Sequence, residues 1–146
     1  MGSSLRTFVV IPLVVLAWEY LVTKGQIQLD AWFAPLLAWG YLQYKLVGRY
    51  RLRLGGGGPG MKTMPERLVT EGPYAWTRNP MYLGHLIFLA GLALTLRSEL
   101  GAIVALANLA FFHTRVRKDE KRLSERFGEP YVRYCERVKR WIPGLI

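Results

Sequence analysis

At 146 residues the chain has room for one ordinary domain, and 51% of it is hydrophobic, with a positive mean hydropathy that pulls it toward a membrane class. Lys and Arg outnumber Asp and Glu 20 to 10, a balance that in isolation suits nucleic acid, acidic lipid or membrane topology. The cations gather in Lys45 to Arg78 and Arg115 to Arg140, between apolar runs that hold almost none, and this segregation excludes a nucleic-acid role in favour of topology.

In chain order the apolar runs are Leu5 to Val22, Leu29 to Val47, Met81 to Leu96 and Leu100 to Thr114. A helix crossing a bilayer core needs roughly 20 apolar residues, with about 17 as a floor. The first two runs meet that length. The last two are shorter and read as a helical hairpin turning at "RSEL". "WEYLVTKGQ" after the first run lacks a small-residue cleavage site, so that run is expected to be a retained span rather than a secretory signal. The expected fold is therefore all-α, an integral membrane bundle of about four transmembrane helices within one domain, 1–146. Two N-terminal spans occupy 1–47, a Gly-rich loop 48–80, the hairpin 81–114 and an amphipathic C-terminal segment 115–146.

The loop after the second run carries Arg49, Arg51, Arg53, Lys62, Arg67 and Arg78, whereas "TKGQIQLD" and "RSEL" carry only Lys24 and Arg97. Cytoplasmic loops are the ones enriched in cations, so the long loop and both termini are expected on the cytoplasmic side. Trp18, Tyr20, Trp32 and Phe33 then fall near the opposite interface, where amphipathic rings prefer to lie. The single Cys135 excludes an internal disulfide or a cysteine-based metal site.

Gly55 to Gly58 end the second helix, because glycine loses the most backbone freedom in a helix. They are expected to form a hinge, linker or cofactor-facing loop, and without a following Lys-Ser/Thr they do not form a P-loop. Beyond the fourth run, Val116, Leu123 and Phe127 keep helical spacing, Gly128-Glu129-Pro130 breaks the helix, and Tyr131 to Trp141 form a second short helix with Tyr131, Tyr134, Val138 and Trp141 on one face.

The usual catalytic kits are missing. His85 and His113 sit on different helices with no HExxH or cysteine pair, which leaves no metal site. Ionisable residues inside apolar helices are functional candidates; His85 is one, taken as a substrate contact, and Glu19 is another. Asn108 is placed to hydrogen bond across the hairpin. Arg78 and Asn79 precede Pro80, which fits a first helical turn, and free N–H groups there favour an acceptor or anion. Arg115 and Asp119 share a helix face four residues apart, with Glu120 adjacent. Since a hairpin returns to its starting end, Arg78, Asn79, Tyr82, Arg115, Asp119 and Glu120 can surround one cavity at the membrane–water boundary. The competing reading is a basic cuff with ordinary salt bridges.

"RLVTEGPYAWTRNPMYLG", followed after the hairpin by "RVRKDEKRLSERFGEPYVRYCERV", resembles the isoprenylcysteine carboxyl methyltransferase family and its relatives, among them phospholipid N-methyltransferases. The family pattern reads LVxxGxYxxxRHPxYxG, then R-x3-EE-x2-L, then FGxxYxxY. The resemblance implies an integral membrane enzyme that uses S-adenosylmethionine and acts on a lipophilic or prenylated acceptor. It places Glu66, Arg67, Leu68, Val69, Tyr74, Arg78, Asn79, Pro80, Met81, Tyr82, Asp119 and Glu120 around the cofactor and Arg115 at the reacting end of the substrate. Asn79 stands where the family commonly has His, although the phospholipid branch also uses Asn-Pro-Met-Tyr, and Asp119 is shorter than the usual Glu. A carboxylate acceptor needs no base and suits Arg115; an amine needs one, and Glu120 is then the candidate. Two alternatives are a non-catalytic basic adaptor for anionic lipid and a relative of sterol reductases. The acceptor and the oligomeric state are left open by the sequence.

Overall fold

The computed structural model describes residues 2–58 and 63–142, and every regular element within them is helical. Helix α1 runs from Ser3 to Val22 and contains a π-helical turn at Arg6–Val10. It is followed by α2 (Ala34–Gly55), α3 (Pro80–Thr95), α4 (Glu99–Phe127) and α5 (Glu129–Arg137). Lys62, one of the loop cations, lies outside the described residues.

Helix boundaries depart from the apolar runs for local reasons. Asp30 Oδ1 accepts from the Trp32 amide and starts a 3-10 turn, Ala31–Phe33, so α2 begins later than Leu29. It then continues through "GRYRLRLG" because Val47, Arg51 and Gly55 recur every four residues on a buried stripe while Arg49 and Arg53 stay solvated. Helix α4 has 29 residues, roughly 43 Å at 1.5 Å per residue, and only its first half is apolar. Among the described residues α1 alone is long and apolar enough to cross a membrane; Pro80–Thr95 is a shorter apolar helix. The last helix occupies Glu129–Arg137 rather than Tyr131 to Trp141. Gly128, at φ +60, makes the break alone, so Glu129 and Pro130 can serve as the first turn. Val138 is already extended.

The chain divides into two compact units. The first combines Met1–Gln43 with Gly84–Ala110. Its core holds Val15, Leu92 and Leu96, with Ile11, Ile27 and Leu37 packed against them. Here α2 and α3 approach backbone to backbone: a Cβ on Gly40 would lie 2.7 Å from the Gly84 carbonyl oxygen, and one on Gly91 2.8 Å from Leu36 Cβ. Small residues permit such crossings where lipid supplies no hydrophobic drive. Polar groups are tied in pairs: Ser98 Oγ donates to Glu19, and Arg6 donates to Asn108 Oδ1 at 3.0 Å. Asn108 thus bonds to α1, and its own amide donates within α4 to Val104. Leu13, Val14, Leu16, Trp18, Leu21 and Val22 are exposed along α1.

The second unit combines Tyr44–Leu83 with Phe111–Ile146. It contains the charged halves of α2 and α4, the intervening loop, the first turn of α3, and α5.

Candidate active site

The glycine run is a built loop. Arg51, buried on α2, donates from its guanidinium to the carbonyls of Thr63 (2.9 Å) and Gly58 (3.0 Å). The Gly55 carbonyl accepts from the amides of Glu66 (2.7 Å) and Arg67 (2.9 Å). Gly57, at φ +76, has no room for a side chain against the Met64 carbonyl, and its left-handed backbone is one that glycine adopts without penalty. These contacts return the chain so that Leu68 and Val69 face inward.

Further along, Gly72–Ala75 form a 3-10 turn, and the Thr77 hydroxyl accepts from the Asn79 amide at 3.3 Å. Pro80 then opens α3, and Leu83 N–H donates to the Asn79 carbonyl. Helix α5 buries Tyr131 and Tyr134 at a three-residue step, and the Tyr134 hydroxyl donates to the Tyr74 carbonyl at 2.6 Å.

Together these segments enclose a cavity within the second unit. Its wall carries the rings of Tyr74, Tyr82, Tyr131 and Tyr134, an apolar floor that includes Leu68, Val69 and Met81, the cations Arg51, Arg78 and Arg122, and one acid, Asp119. Burial pushes the phenols of Tyr74, Tyr131 and Tyr134 well above the usual tyrosine range. They are therefore neutral donors with intact ring faces at physiological pH.

A second groove, of about 350 Å³, opens beside it, lined by Phe111, Thr114, Arg115, Lys118, Asp119 and Arg122. Asp119 and Arg122 border both spaces. At this shared wall the Tyr82 hydroxyl donates to Asp119 Oδ2 at 2.6 Å and accepts from Arg115 Nε at 3.0 Å. Arg115 and Arg122 each stand 3.9 Å from an Asp119 oxygen.

Behind the cavity lies a denser charge network. Glu120 Oε2 accepts twice from the Arg140 guanidinium, at 3.0 and 2.8 Å. Its Oε1 accepts from Asn79 Nδ2 at 3.3 Å and stands 3.3 Å from Arg78 Nε. The segment after α5 is stapled to the turn before α3: Arg78 N–H donates to the Lys139 carbonyl at 3.0 Å, and the Arg140 carbonyl accepts from Thr77 Oγ1 (3.0 Å) and Asn79 Nδ2 (3.2 Å). Trp141 is buried and its Nε1 donates to His113.

Of the residues expected around a cofactor, Leu68, Val69, Tyr74, Arg78, Asn79, Met81, Tyr82 and Asp119 border the cavity. Glu66 and Arg67 are exposed and shape the loop through their amides. Pro80 is fully buried at the helix start, and Glu120 sits buried among its three partners. Arg115 lines the groove. His85, taken as a substrate contact, is not among the lining residues of either space; it is fully buried in the first unit, its ring 4.6 Å from that of Phe8. Sequence reasoning overlooked Arg51, Arg140 and the two α5 tyrosines as parts of the site. The first had a signal, its place on the Val47–Arg51–Gly55 stripe. Arg140 had none, because its segment is extended and aperiodic.

The model of a family described as phospholipid methyltransferase matches residues 51–129. Protein-S-isoprenylcysteine O-methyltransferase from Mus musculus is 36% identical over 85 residues, 58% of this chain and 30% of the relative. Isoform B from Arabidopsis thaliana is 38% identical over 79 residues, 53% of this chain and 40% of the relative. A solved structure of the eukaryotic intramembrane Ras methyltransferase, an isoprenylcysteine carboxyl methyltransferase, superposes with a TM-score of 0.67 at 25% identity, covering 94% of this chain and 51% of that one. The chain thus spans about a third of the length of these curated relatives and about half of the solved chain.

Proposed function

This chain belongs to the phospholipid methyltransferase family, and from that premise we propose that it is an integral membrane enzyme that transfers a methyl group from S-adenosylmethionine to the carboxylate of a lipophilic, isoprenylcysteine-like acceptor. The observation that carries this reading is the shared wall, where Asp119 and Arg122 separate an aromatic cavity from a cationic groove. One space suits the donor and the other the acceptor.

The cavity's groups fit the donor's chemistry. S-adenosylmethionine presents a carboxylate, an ammonium, ribose hydroxyls and a sulfonium, and when bound supplies an electrophilic methyl group. Arg51, Arg78 and Arg122 complement the carboxylate, and Asp119 complements the ammonium or a hydroxyl. Neutral tyrosine faces attract the sulfonium through their ring quadrupoles, while the apolar floor excludes water. Arg78 and Arg140 together exceed the charge of Glu120, so an anion is favoured on that wall.

The groove's chemistry favours a carboxylate acceptor. Arg115, Lys118 and Arg122 face one acid, a surplus that attracts an anion and repels an ammonium. Arg115 keeps donors to orient the acceptor's carboxylate, which needs no deprotonation. The match to the phospholipid methyltransferase model favours a second reading, a lipid amine, but that reaction requires a base. Glu120 is held by three partners and Asp119 by Tyr82. Both carboxylates are thus already engaged as hydrogen-bond acceptors, Glu120 through both oxygens and Asp119 through Oδ2.

The exposed apolar face of α1 is read as lipid-facing, the apolar halves of α2, α3 and α4 as the other spans, and the cationic unit as cytoplasmic by its charge bias. Calorimetry on the full chain in lipid nanodiscs tests the donor assignment: S-adenosylmethionine should bind and S-adenosylhomocysteine should compete. Absence of binding by both would refute it.

A further inference from the structure

We propose that Arg140 is a positioning residue for the cofactor cavity, acting through Glu120 on Arg78 and Asn79; this rests on the methyltransferase reading above. Arg140, Glu120 and Asn79 form a closed ring of contacts. The Arg140 guanidinium grips Glu120 Oε2 with two hydrogen bonds, at 3.0 and 2.8 Å. Glu120 Oε1 accepts from Asn79 Nδ2 at 3.3 Å, and that same nitrogen donates at 3.2 Å to the Arg140 carbonyl. One residue therefore fixes Asn79 from both its ends, and both hydrogens of the Asn79 amide are directed into the network.

The amide's orientation follows from this. With its nitrogen committed to two acceptors, the Asn79 carbonyl oxygen is the atom left to face the cavity that Asn79 borders. Arg78 is fixed in parallel: its main-chain N–H donates to the Lys139 carbonyl at 3.0 Å and its guanidinium stands 3.3 Å from Glu120. Arg140 itself is not among the cavity's lining residues, so it acts through these neighbours. Hydrogen bonding to Glu120 raises the already high pKa of Arg140, so its guanidinium stays charged. Two donors of one planar guanidinium converge on a single carboxylate oxygen, Glu120 Oε2, a contact that lysine reproduces only in part.

The contact also assigns Glu120 a role. Its buried carboxylate joins Arg140, Arg78 and Asn79, the last two of which border the cavity, and so transmits the position of the post-α5 segment to the cofactor wall. The cationic Arg140 and the acidic Glu120 form one functional unit and should behave non-additively.

The test uses full-length protein in nanodiscs, with S-adenosylmethionine as the probe, and compares wild type, Arg140→Gln, Arg140→Lys, Glu120→Gln and the Glu120→Gln/Arg140→Gln double variant. Arg140→Gln should weaken S-adenosylmethionine binding about tenfold, raising its KM to the same extent while leaving kcat within about twofold. Arg140→Lys should recover part of the loss. The double variant should bind no more weakly than the worse single one. In the cofactor-free protein, hydrogen exchange at the Arg78 amide should rise at least tenfold in Arg140→Gln, while exchange in α1 stays as in wild type. Unchanged binding and exchange in Arg140→Gln, or strictly additive losses in the double variant, would overturn the proposal. Should Arg140→Gln fail to fold, Arg140→Lys carries the same comparison, with wild-type binding and exchange counting against the proposal. Wild-type protein that binds no S-adenosylmethionine would refute the methyltransferase reading itself and this inference with it, a result distinguishable from normal wild-type binding with unaffected variants.

Discussion

In the unit built from Met1–Gln43 and Gly84–Ala110, two polar contacts link α1 to the α3–α4 hairpin, Glu19 with Ser98 and Arg6 with Asn108. Helices there meet through Gly40 and Gly91. In the unit built from Tyr44–Leu83 and Phe111–Ile146, charged groups are joined into networks around Asp119 and Glu120 that reach two helices and two loops. The same helices supply both units, since α2, α3 and α4 each change character partway along. Within α2, α3 and α4 the residues that border the candidate site lie in the part that belongs to the second unit. The other half supplies close packing and an apolar exterior, and should tolerate or resist substitution by different rules.

The sharpest break is at the network's centre. Glu120→Ala leaves two guanidiniums facing each other with no counter-charge, and removing one partner of a buried ion pair costs about 3–5 kcal/mol. The variant should unfold at markedly lower temperature in detergent and bind no S-adenosylmethionine, both readable by scanning fluorimetry. Gly40→Val should cost about 1–3 kcal/mol by overpacking, yet folded protein should keep its cofactor affinity. If it instead loses affinity with stability intact, the division of labour between the units is wrong.

Tyr82→Phe removes a donor to Asp119 and an acceptor for Arg115. A hydrogen bond to a charged group contributes about 1.5–3 kcal/mol to stability, so the melting temperature should fall by several degrees, less than in Glu120→Ala, and kcat/KM should fall with it. The smallest expected effect is on pH. The buried phenols of Tyr74, Tyr131 and Tyr134 have pKa values raised by desolvation, whereas unfolded tyrosines ionise near 10. Above that pH the unfolded chain holds fewer protons than the folded one, so stability is complete below about pH 10 and declines as pH climbs toward the folded values. Melting curves from pH 8 to 11 should show the decline, and Tyr134→Phe should flatten it.

Much of this contrast was legible in the residues. Apolar runs and their basic flanks announced helices and a charged end, and "TRNPMY" with "RVRKDE" marked the part of the cavity wall formed by Arg78, Asn79, Met81, Tyr82 and Asp119, because local turn chemistry and helical spacing determine those positions. Helix lengths were less legible: solvated Arg49 and Arg53 hid the buried stripe through Val47, Arg51 and Gly55 that prolongs α2. The glycine run looked like a linker because its order comes from Arg51 and from backbone bonds to Gly55, which no local pattern encodes. Arg140 and the extended segment around it were invisible for the same reason. His85, an ionisable residue in an apolar helix, packs beside Phe8 and is not among the residues that line either space.

The central claim is methyl transfer to a carboxylate, and the most direct measurement is the chemical stability of the transferred label. Full-length protein in nanodiscs is incubated with methyl-labelled S-adenosylmethionine and an equal mixture of a prenylated cysteine carboxylate and a lipid amine, and the labelled products are treated with mild base. Carboxylate methylation yields an ester, so the label should leave as volatile methanol. Label that survives base on the amine lipid would contradict the account.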